Sequence, residues 1–364
     1  LCLLMVSTLL VIGCEKGDSR SQAIQQKEKP RAEHSPFSIS EVMKHLPINM
    51  EAGFDKFHGW IHNETIVYST KHHQQSNLYA YDLKNGTSTL LFKLDSIIDD
   101  IQISHSGNYL LIRSSSEAFP CQITVINSKG ETIFSTVLED TYDVEIKWNP
   151  YDEDKVLISS FTEDWQDQTF ILSLDKQKIT QIELANPFSY WISSNKLIYF
   201  DWSPEVQSEL SNVKLKNITN GEVTLLLSNV LQLDSFSDYF LAITADEKQP
   251  ENMNYRFYDA QVNQIASISM PRITNDSGWF IPYYDYNEAE KSFLTFQQAG
   301  SYEEGFQLVK HQLLQGENHV IIDGLNNEPI KCNEEGSLCL YGYYFEKLID
   351  IKTKKNAQLV QMDE

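Results

Sequence analysis

"DIQISHSGNYLLIRS", residues 100 to 114, decides the architecture of this chain. Apolar and polar residues alternate up to Ile103, a polar turn containing Gly107 follows, and a second apolar run starts at Tyr109. Period-two alternation on either side of a glycine-bearing turn describes a β-hairpin. The same shape returns in "WIHNETIVYS", "EIKWNPYDEDKVLISS", "YWISSNKLIYF", "QLDSFSDYFLAIT", "PYYDYNEAEKSFLTF" and "IKCNEEGSLCLYG". Between these copies lies a second kind of hairpin. Its turns stand at Asn85-Gly86, Lys129-Gly130, Asn220-Gly221 and Gln315-Gly316, with successive glycines 44, 91 and 95 residues apart. The two longer steps are nearly double. "LDKQKIT" near Gln177 and "YDAQVNQIA" near Asn263 supply the missing turns, and "IDIKTKKNAQ" near Lys354 supplies a seventh. Asn-Gly is a strong short hairpin signal because both central residues need positive φ.

Each turn of the second kind joins two alternating runs: "NLYAYDL" with "TSTLLFKL", "QITVINS" with "ETIFSTVL", "NVKLKNI" with "EVTLLLS". One unit is therefore four short strands in about 45 residues, the period of a β-propeller blade. A lone four-stranded sheet leaves its edges and a face uncovered, and radial packing in a closed ring covers them. The expected fold is all-β, a β-propeller of seven four-stranded blades. A two-sheet sandwich is the competing architecture, but it requires no regular spacing.

Composition agrees. There are 18 Tyr, 18 Phe and 6 Trp, many beside β-branched residues, as strands prefer. Past residue 50 no long amphipathic helical pattern is found. No second apolar stretch approaches the 18 or more residues of a membrane span. Formal net charge is −22, from 51 acidic and 29 basic residues. So acidic a chain is not expected to bind nucleic acid, whose phosphates need a basic surface. It is equally unsuited to polybasic membrane attachment.

The beginning of the chain is different. Residues 1–13 have the length and character of a signal-peptide apolar region. The chain turns polar at Cys14, and residues 14–36, "CEKGDSRSQAIQQKEKPRAEHSP", read as a disordered tether. A short helix is expected in "FSISEVMKHLPINM", capped by Ser38 or Ser40 and ended by Pro47. Residues 37–364 are then a single propeller domain carrying this short N-terminal helix.

"VIGC", residues 11 to 14, resembles the bacterial lipobox, in which a small residue precedes the cysteine. That resemblance implies a diacylglycerol on the Cys14 thiol and cleavage before it. Two acyl chains give stable membrane attachment. The implied location is the extracytoplasmic face of a bacterial cell membrane. "ISHSGNYLLI", residues 103 to 112, resembles the "SPDG-x-x-L" hairpin of TolB-type and related WD40-like propellers. Ser104, Ser106, Gly107 and Leu110 match it, and His105 stands where proline is usual. "LYAYDLKNG", residues 78 to 86, resembles the third-strand motif of the same propellers. Lipobox, tether and degenerate propeller together resemble the YqgU-like lipoproteins of Bacillus-type bacteria. That family is described with six blades, so six is the alternative count. The resemblance brings no established activity and no cofactor.

In a propeller the loops joining second to third strands, and unit to unit, share one face. Here those loops are long: "TKHHQQSN", "SSSEAFPC", "FTEDWQDQ", "FDWSPEVQSELSN", "TADEKQPENMN" and "QQAGSYEEG". Long loops on a rigid scaffold are where binding residues usually lie. The candidate ligand-binding residues are Trp165, Trp202 and Tyr302, with Glu163, Asp164, Asp167 and Asp201 beside them. Asp95, Asp99, Asp100, Glu139, Asp140 and Asp143 in the unit-to-unit connections add to the acidity. Such a face suits an envelope protein, a peptide or a cell-wall glycan stacked on tryptophan. The alternative is solvated loops with aromatics folded back onto the rim. Trp60, Trp148, Trp191 and Trp279 fall in or beside first strands and are expected to pack between blades.

Chemistry-bearing motifs are missing. There is no G-x-S-x-G, P-loop, G-x-G-x-x-G or calcium loop. His72-His73 would point to opposite faces of a strand and has no ligand-like neighbour, so it reads as a solvated loop. No catalytic residue, metal ligand or cofactor is assigned. Cys332 and Cys339 flank one hairpin turn, either as a disulfide or as two buried thiols. The functional expectation is a non-catalytic binding or scaffolding module on the outer face of the membrane. A propeller enzyme acting on a glycan or peptide is the alternative, and its mark would be titratable groups converging at the channel with opposed pKa shifts. A purely structural role in envelope assembly is the third reading.

Overall fold

The computed structural model describes residues 46–48, 50, 53–116, 121–202, 210–246, 248–275, 278–300 and 305–360. All belong to the body Pro36–Glu364. The signal segment, the tether with Cys14, the expected helix up to residue 45, and Tyr302 lie outside the described residues.

The described residues form strands and turns, with no helix among them. They fold as consecutive antiparallel meanders, in the order in which the strands occur in the chain. Five sheets have four strands, built from residues 54–94, 97–137, 143–182, 284–325 and 330–358. A sixth sheet has seven strands and spans residues 189–271. It is two four-strand units fused through the strand Val223–Ser235. The first half of that strand pairs with Ser211–Asn217 and the second half with Phe240–Ala245. Asn229, at φ 59°, turns the chain between the two halves. The fourth unit's outer strand thus runs on as the fifth unit's inner strand. Counted as large sheets there are six, and counted as four-strand units there are seven.

Core packing follows the units. Seven buried clusters lie at the seven junctions between successive units. The cluster of Phe57, Ile66 and Tyr68 with Leu338, Leu340 and Leu348 joins the last unit to the first and closes the ring. The second strand of each unit is covered on both sides, so it reads as a nearly unbroken apolar run rather than an alternation. In Thr65–His72, Ile66 and Tyr68 join the cluster toward unit seven, while Val67 joins the cluster toward unit two. Outer strands such as Thr87–Leu94 are exposed for most of their length.

The hairpin that opens each unit also locks it to its neighbour. In the quoted stretch the Ser104 hydroxyl accepts the Tyr109 amide (3.1 Å), and the Gly107 amide donates to the Ser104 carbonyl (2.9 Å). Gly107 has φ 73°, and a Cβ there would sit 2.0 Å from the Ile61 carbonyl oxygen of unit one. Glycine is needed at this position for both its conformation and the close approach. Elsewhere the turn's first residue is asparagine, and its amide reaches the next unit. Asn149 donates to the Ser193 carbonyl (3.3 Å), and Asn287 donates to the Glu334 carbonyl (2.8 Å). Asn333 donates to the Asn63 carbonyl (3.1 Å), across 270 residues, and so fastens unit seven to unit one. Ile48, the residue described just before unit one, pairs in parallel with Val360.

The tryptophans expected between blades are found at or beside junctions. Trp191 is fully buried and donates to the Lys147 carbonyl (3.2 Å), and Trp60 donates to the Lys331 carbonyl (2.8 Å). Trp148 stacks on Tyr109. Trp279 stands in a two-stranded ribbon, Ile273–Asn275 with Gly278–Phe280, that the repeat pattern does not announce.

Candidate functional site

Two of the residues singled out in the sequence are brought together on the loop face. Trp165 sits in the turn after the strand Lys155–Phe161, with φ 59°. Its amide donates to the Thr162 carbonyl (2.9 Å), and the Thr162 amide donates to the Gln166 carbonyl (3.0 Å). This tight turn lifts the indole out of the blade, leaving it 65% exposed. Trp202 follows the strand Lys196–Phe200 and is 60% exposed. Other aromatics fill the interval between the two indoles. Trp165 meets Tyr142 at 6.5 Å and Phe161 at 6.0 Å between ring centroids. Phe161 stacks on Phe188 at 5.5 Å, Phe188 meets Trp202 at 6.3 Å, and Trp202 stacks on Phe200 at 5.9 Å.

The result is one aromatic ladder crossing units three and four. Tyr142, Trp165, Phe188 and Trp202 present its open surface. Its members come from unit-to-unit connections and from the ends of second strands. Asn186 holds Phe188 in place: its side-chain oxygen accepts the Phe188 amide (2.8 Å) and its amide donates to the Phe200 carbonyl (2.9 Å). Sequence reading picked out the two tryptophans and missed Tyr142, Phe161, Phe188 and Phe200. The available signal was that each stands at a strand end or in a connection on the same side of the ring.

The ladder's surroundings are acidic. Glu163, Asp164 and Asp167 are exposed and form no ion pair among the described residues. Asp201 is paired with Lys214 at 2.9 Å, and that hydrogen bond raises the Lys214 pKa. Asp143 is paired with Arg113 at 2.6 Å. Asp95 and Asp99 accept hydrogen bonds from Gln75 (2.9 Å) and Ser115 (3.0 Å). The face therefore combines a contiguous aromatic strip with carboxylates, some of them unneutralised.

A second polar cluster lies in the central channel, on the inner strands. Tyr284 donates to Asp234 (3.0 Å) and accepts from Gln232 (3.0 Å). Lys147 pairs with Glu145 at 2.9 Å and lies over the Tyr190 ring at 5.2 Å. Lys331 pairs with Asp285 at 2.9 Å. Desolvation pushes the Asp234 carboxyl up, and the nearby Lys147 and Lys331 ammoniums work against it. Lys147 is also shifted upward: burial opposes its charge, while Glu145, Tyr190 and Asp234 favour it. Asp234 and Lys147 are thus shifted the same way. The hydrogen bonds of Tyr284 with Asp234 and Gln232 tie unit six to unit five, and the Lys331–Asp285 pair ties unit seven to unit six. Among the described residues no group of three metal-ligating side chains converges.

Cys332 and Cys339 face one another across the hairpin of the seventh unit, with their sulfurs 1.94 Å apart. Cys121 is buried and free, and burial raises its thiol pKa to about 11.

Comparison with known proteins places this architecture. The chain is 26% identical over 362 residues to the uncharacterised lipoprotein YqgU of Bacillus subtilis (strain 168), covering 99% of this chain and 96% of that one. It superposes with a TM-score of 0.78 on the crystal structure of the uncharacterised protein lmo1340 of Listeria monocytogenes EGD-e, at 24% identity, covering 86% of this chain and 96% of that one. The β-propeller domain of the Trilobed protease from Pyrococcus furiosus superposes with a TM-score of 0.58 at 14% identity, covering 85% of this chain and 98% of that domain, and shares the fold alone. The model of the YqgU-like 6-bladed β-propeller domain matches residues 82–342, and the chain belongs to that family.

Proposed function

We propose that this chain is a lipid-anchored, extracytoplasmic propeller that recognises an envelope partner through the aromatic ladder of its loop face. Cys14 carries the anchor, as the lipobox resemblance and the lipoprotein relative support. The observation that carries the recognition role is the series of ring contacts Tyr142–Trp165–Phe161–Phe188–Trp202, in which buried Phe161 links four rings exposed at 67%, 65%, 38% and 60%. A contiguous apolar surface of large rings, rimmed by polar groups, is characteristic of an interaction site. Aromatics are also the residues that dominate binding energy at interfaces. The partner is an envelope protein, peptide or glycan presenting an apolar or stacking surface beside basic or hydroxyl groups, since Glu163, Asp164 and Asp167 stand next to the ladder.

The test is capture from solubilised envelope proteins and from cell-wall fragments, comparing the wild-type chain with a Trp165→Ala, Trp202→Ala double variant. Both side chains are mostly exposed, so the fold is expected to survive. A component retained by the wild type and lost with the variant supports the reading. Equal capture by both removes the ladder from consideration. Labelling with a fatty-acid analogue, lost in Cys14→Ser, tests the anchor separately.

A further inference from the structure

The loop face also carries a cavity of about 560 Å³ between units six and seven, away from the ladder. Phe280, Tyr283, Phe306 and Tyr343 give it four aromatic walls, and Asn327 and Glu328 give it polar ones. Its size is that of a small-ligand site. Tyr283 and Tyr343 meet edge to face at 6.4 Å, and Tyr343 is 64% exposed at the mouth.

The polar wall is organised. The Asn327 side-chain oxygen accepts the Tyr283 amide (2.9 Å), which fixes both residues. Its NH₂ group makes no hydrogen bond among the described residues. Glu328 accepts from Asn326 (3.1 Å) on one oxygen and from Lys347 (2.9 Å) on the other. Lys347 is shared between Glu328 (2.9 Å) and Glu346 (3.3 Å), so Glu328, the one charged residue among the described lining, keeps part of its negative charge.

We infer that this cavity is a binding site for a neutral saccharide, independent of the aromatic ladder. Among the described residues the lining offers no free cation, so a phosphate or a free carboxylate finds no counterion there. A purely apolar occupant would bury the Asn327 NH₂ group without a partner and strip the Glu328 carboxylate of water, which is costly. A sugar ring avoids both penalties. Its C–H face lies on the tyrosine and phenylalanine rings. Its vicinal hydroxyls offer donor and acceptor side by side, which a planar amide and carboxylate can match.

The test is calorimetric titration of the full chain, held in a sugar-free detergent, with β-1,4-linked N-acetylglucosamine tetramer, cellotetraose and a proline-rich decapeptide. Binding of at least one of the two saccharides is expected. Tyr343→Ala and Asn327→Ala should each weaken it by about tenfold or more, about 1.4 kcal/mol. Tyr343→Phe should keep most of it, since the ring remains. The Trp165→Ala, Trp202→Ala double variant should bind the sugar as the wild type does. That arm separates this site from the ladder, whichever of the two proves correct. Absence of saccharide binding, binding untouched by both cavity variants, binding lost with the two tryptophans, or binding of the peptide alone would each overturn the inference.

Discussion

Replacing Asp285 tests how neighbouring units are held at the channel. This side chain is buried, at 9% side-chain exposure, on the inner strand of unit six. One oxygen accepts the buried backbone amide of Cys332 in unit seven at 2.7 Å, and the other pairs with Lys331 at 2.9 Å. The two contacts differ in worth. A hydrogen bond from a buried amide to a carboxylate contributes about 1.5–3 kcal/mol, and its loss leaves that amide unpaired. Lys331 is 56% exposed on its side chain, so water screens its ion pair to about 0–1 kcal/mol. Asp285→Ala should therefore cost about 2–4 kcal/mol. Asp285→Asn keeps an acceptor for Cys332 and should cost about 1 kcal/mol, and Lys331→Ala no more than about 1 kcal/mol. Urea unfolding followed by tryptophan fluorescence reads these as midpoint shifts at constant slope. If Asp285→Ala costs no more than Lys331→Ala, the backbone hydrogen bond carries nothing and the reasoning is wrong.

Further outcomes follow from single positions. Gly107→Ala should destabilise the fold by clearly more than about 1 kcal/mol, because its Cβ would meet the Ile61 carbonyl at 2.0 Å. Gly221→Ala, at φ 76° with nothing within 4 Å, should show only the conformational cost of about 1 kcal/mol, and unfolding of the two variants side by side checks the difference. Burial lowers the His58 pKa to about 3, helped by Lys56 and Lys71, and lowers that of His311 to about 4. The folded state then refuses protons that the unfolded state takes up below pH about 6.5, so stability is complete above that pH and lost as the pH falls. By pH 5.5 each histidine should cost about 1.4 kcal/mol, and His311→Gln should flatten that part of the stability–pH curve. Reducing the Cys332–Cys339 bond, which closes a loop of sequence separation 7, should lower stability by about 2.5 kcal/mol, measured by denaturation with and without reductant. A reduced chain as stable as the oxidised one would contradict this.

Repeat and hairpin signals are local, and that is why they were legible. Asp82, Asn85 and Gly86 make their turn with each other: the Gly86 amide donates to the Asp82 carbonyl at 2.8 Å, and the Asp82 carboxylate takes the Asn85 amide at 2.9 Å. Where the glycine is missing, Gln177, Val262 and Lys354 adopt the left-handed conformation themselves, at φ 48°, 69° and 57°. Those turns leave a weaker mark in the sequence, yet the strands on either side still alternate. The fusion of two units through Val223–Ser235 left no mark at all. Ser228-Asn229 looks like the interior of an apolar strand, and only the pairing of Val230 with both Ser211 and Thr244 shows the strand passing from one unit to the next.

By itself the sequence determined the all-β class, the period, the strand pairs and the side of the ring carrying the long loops. Each of these depends on residues within a few positions of one another, through alternation, φ preference and turn chemistry. Tertiary structure decided the rest. Tyr142, Phe188 and Trp202 lie on separate connections, and they form a ladder only because adjacent units pack side by side. Asn63 and Asn333 meet only because the ring closes, as do the rings of Tyr283 and Tyr343 only because units six and seven adjoin. Contacts between such distant residues are set by the geometry of closure, to which local sequence pattern is blind.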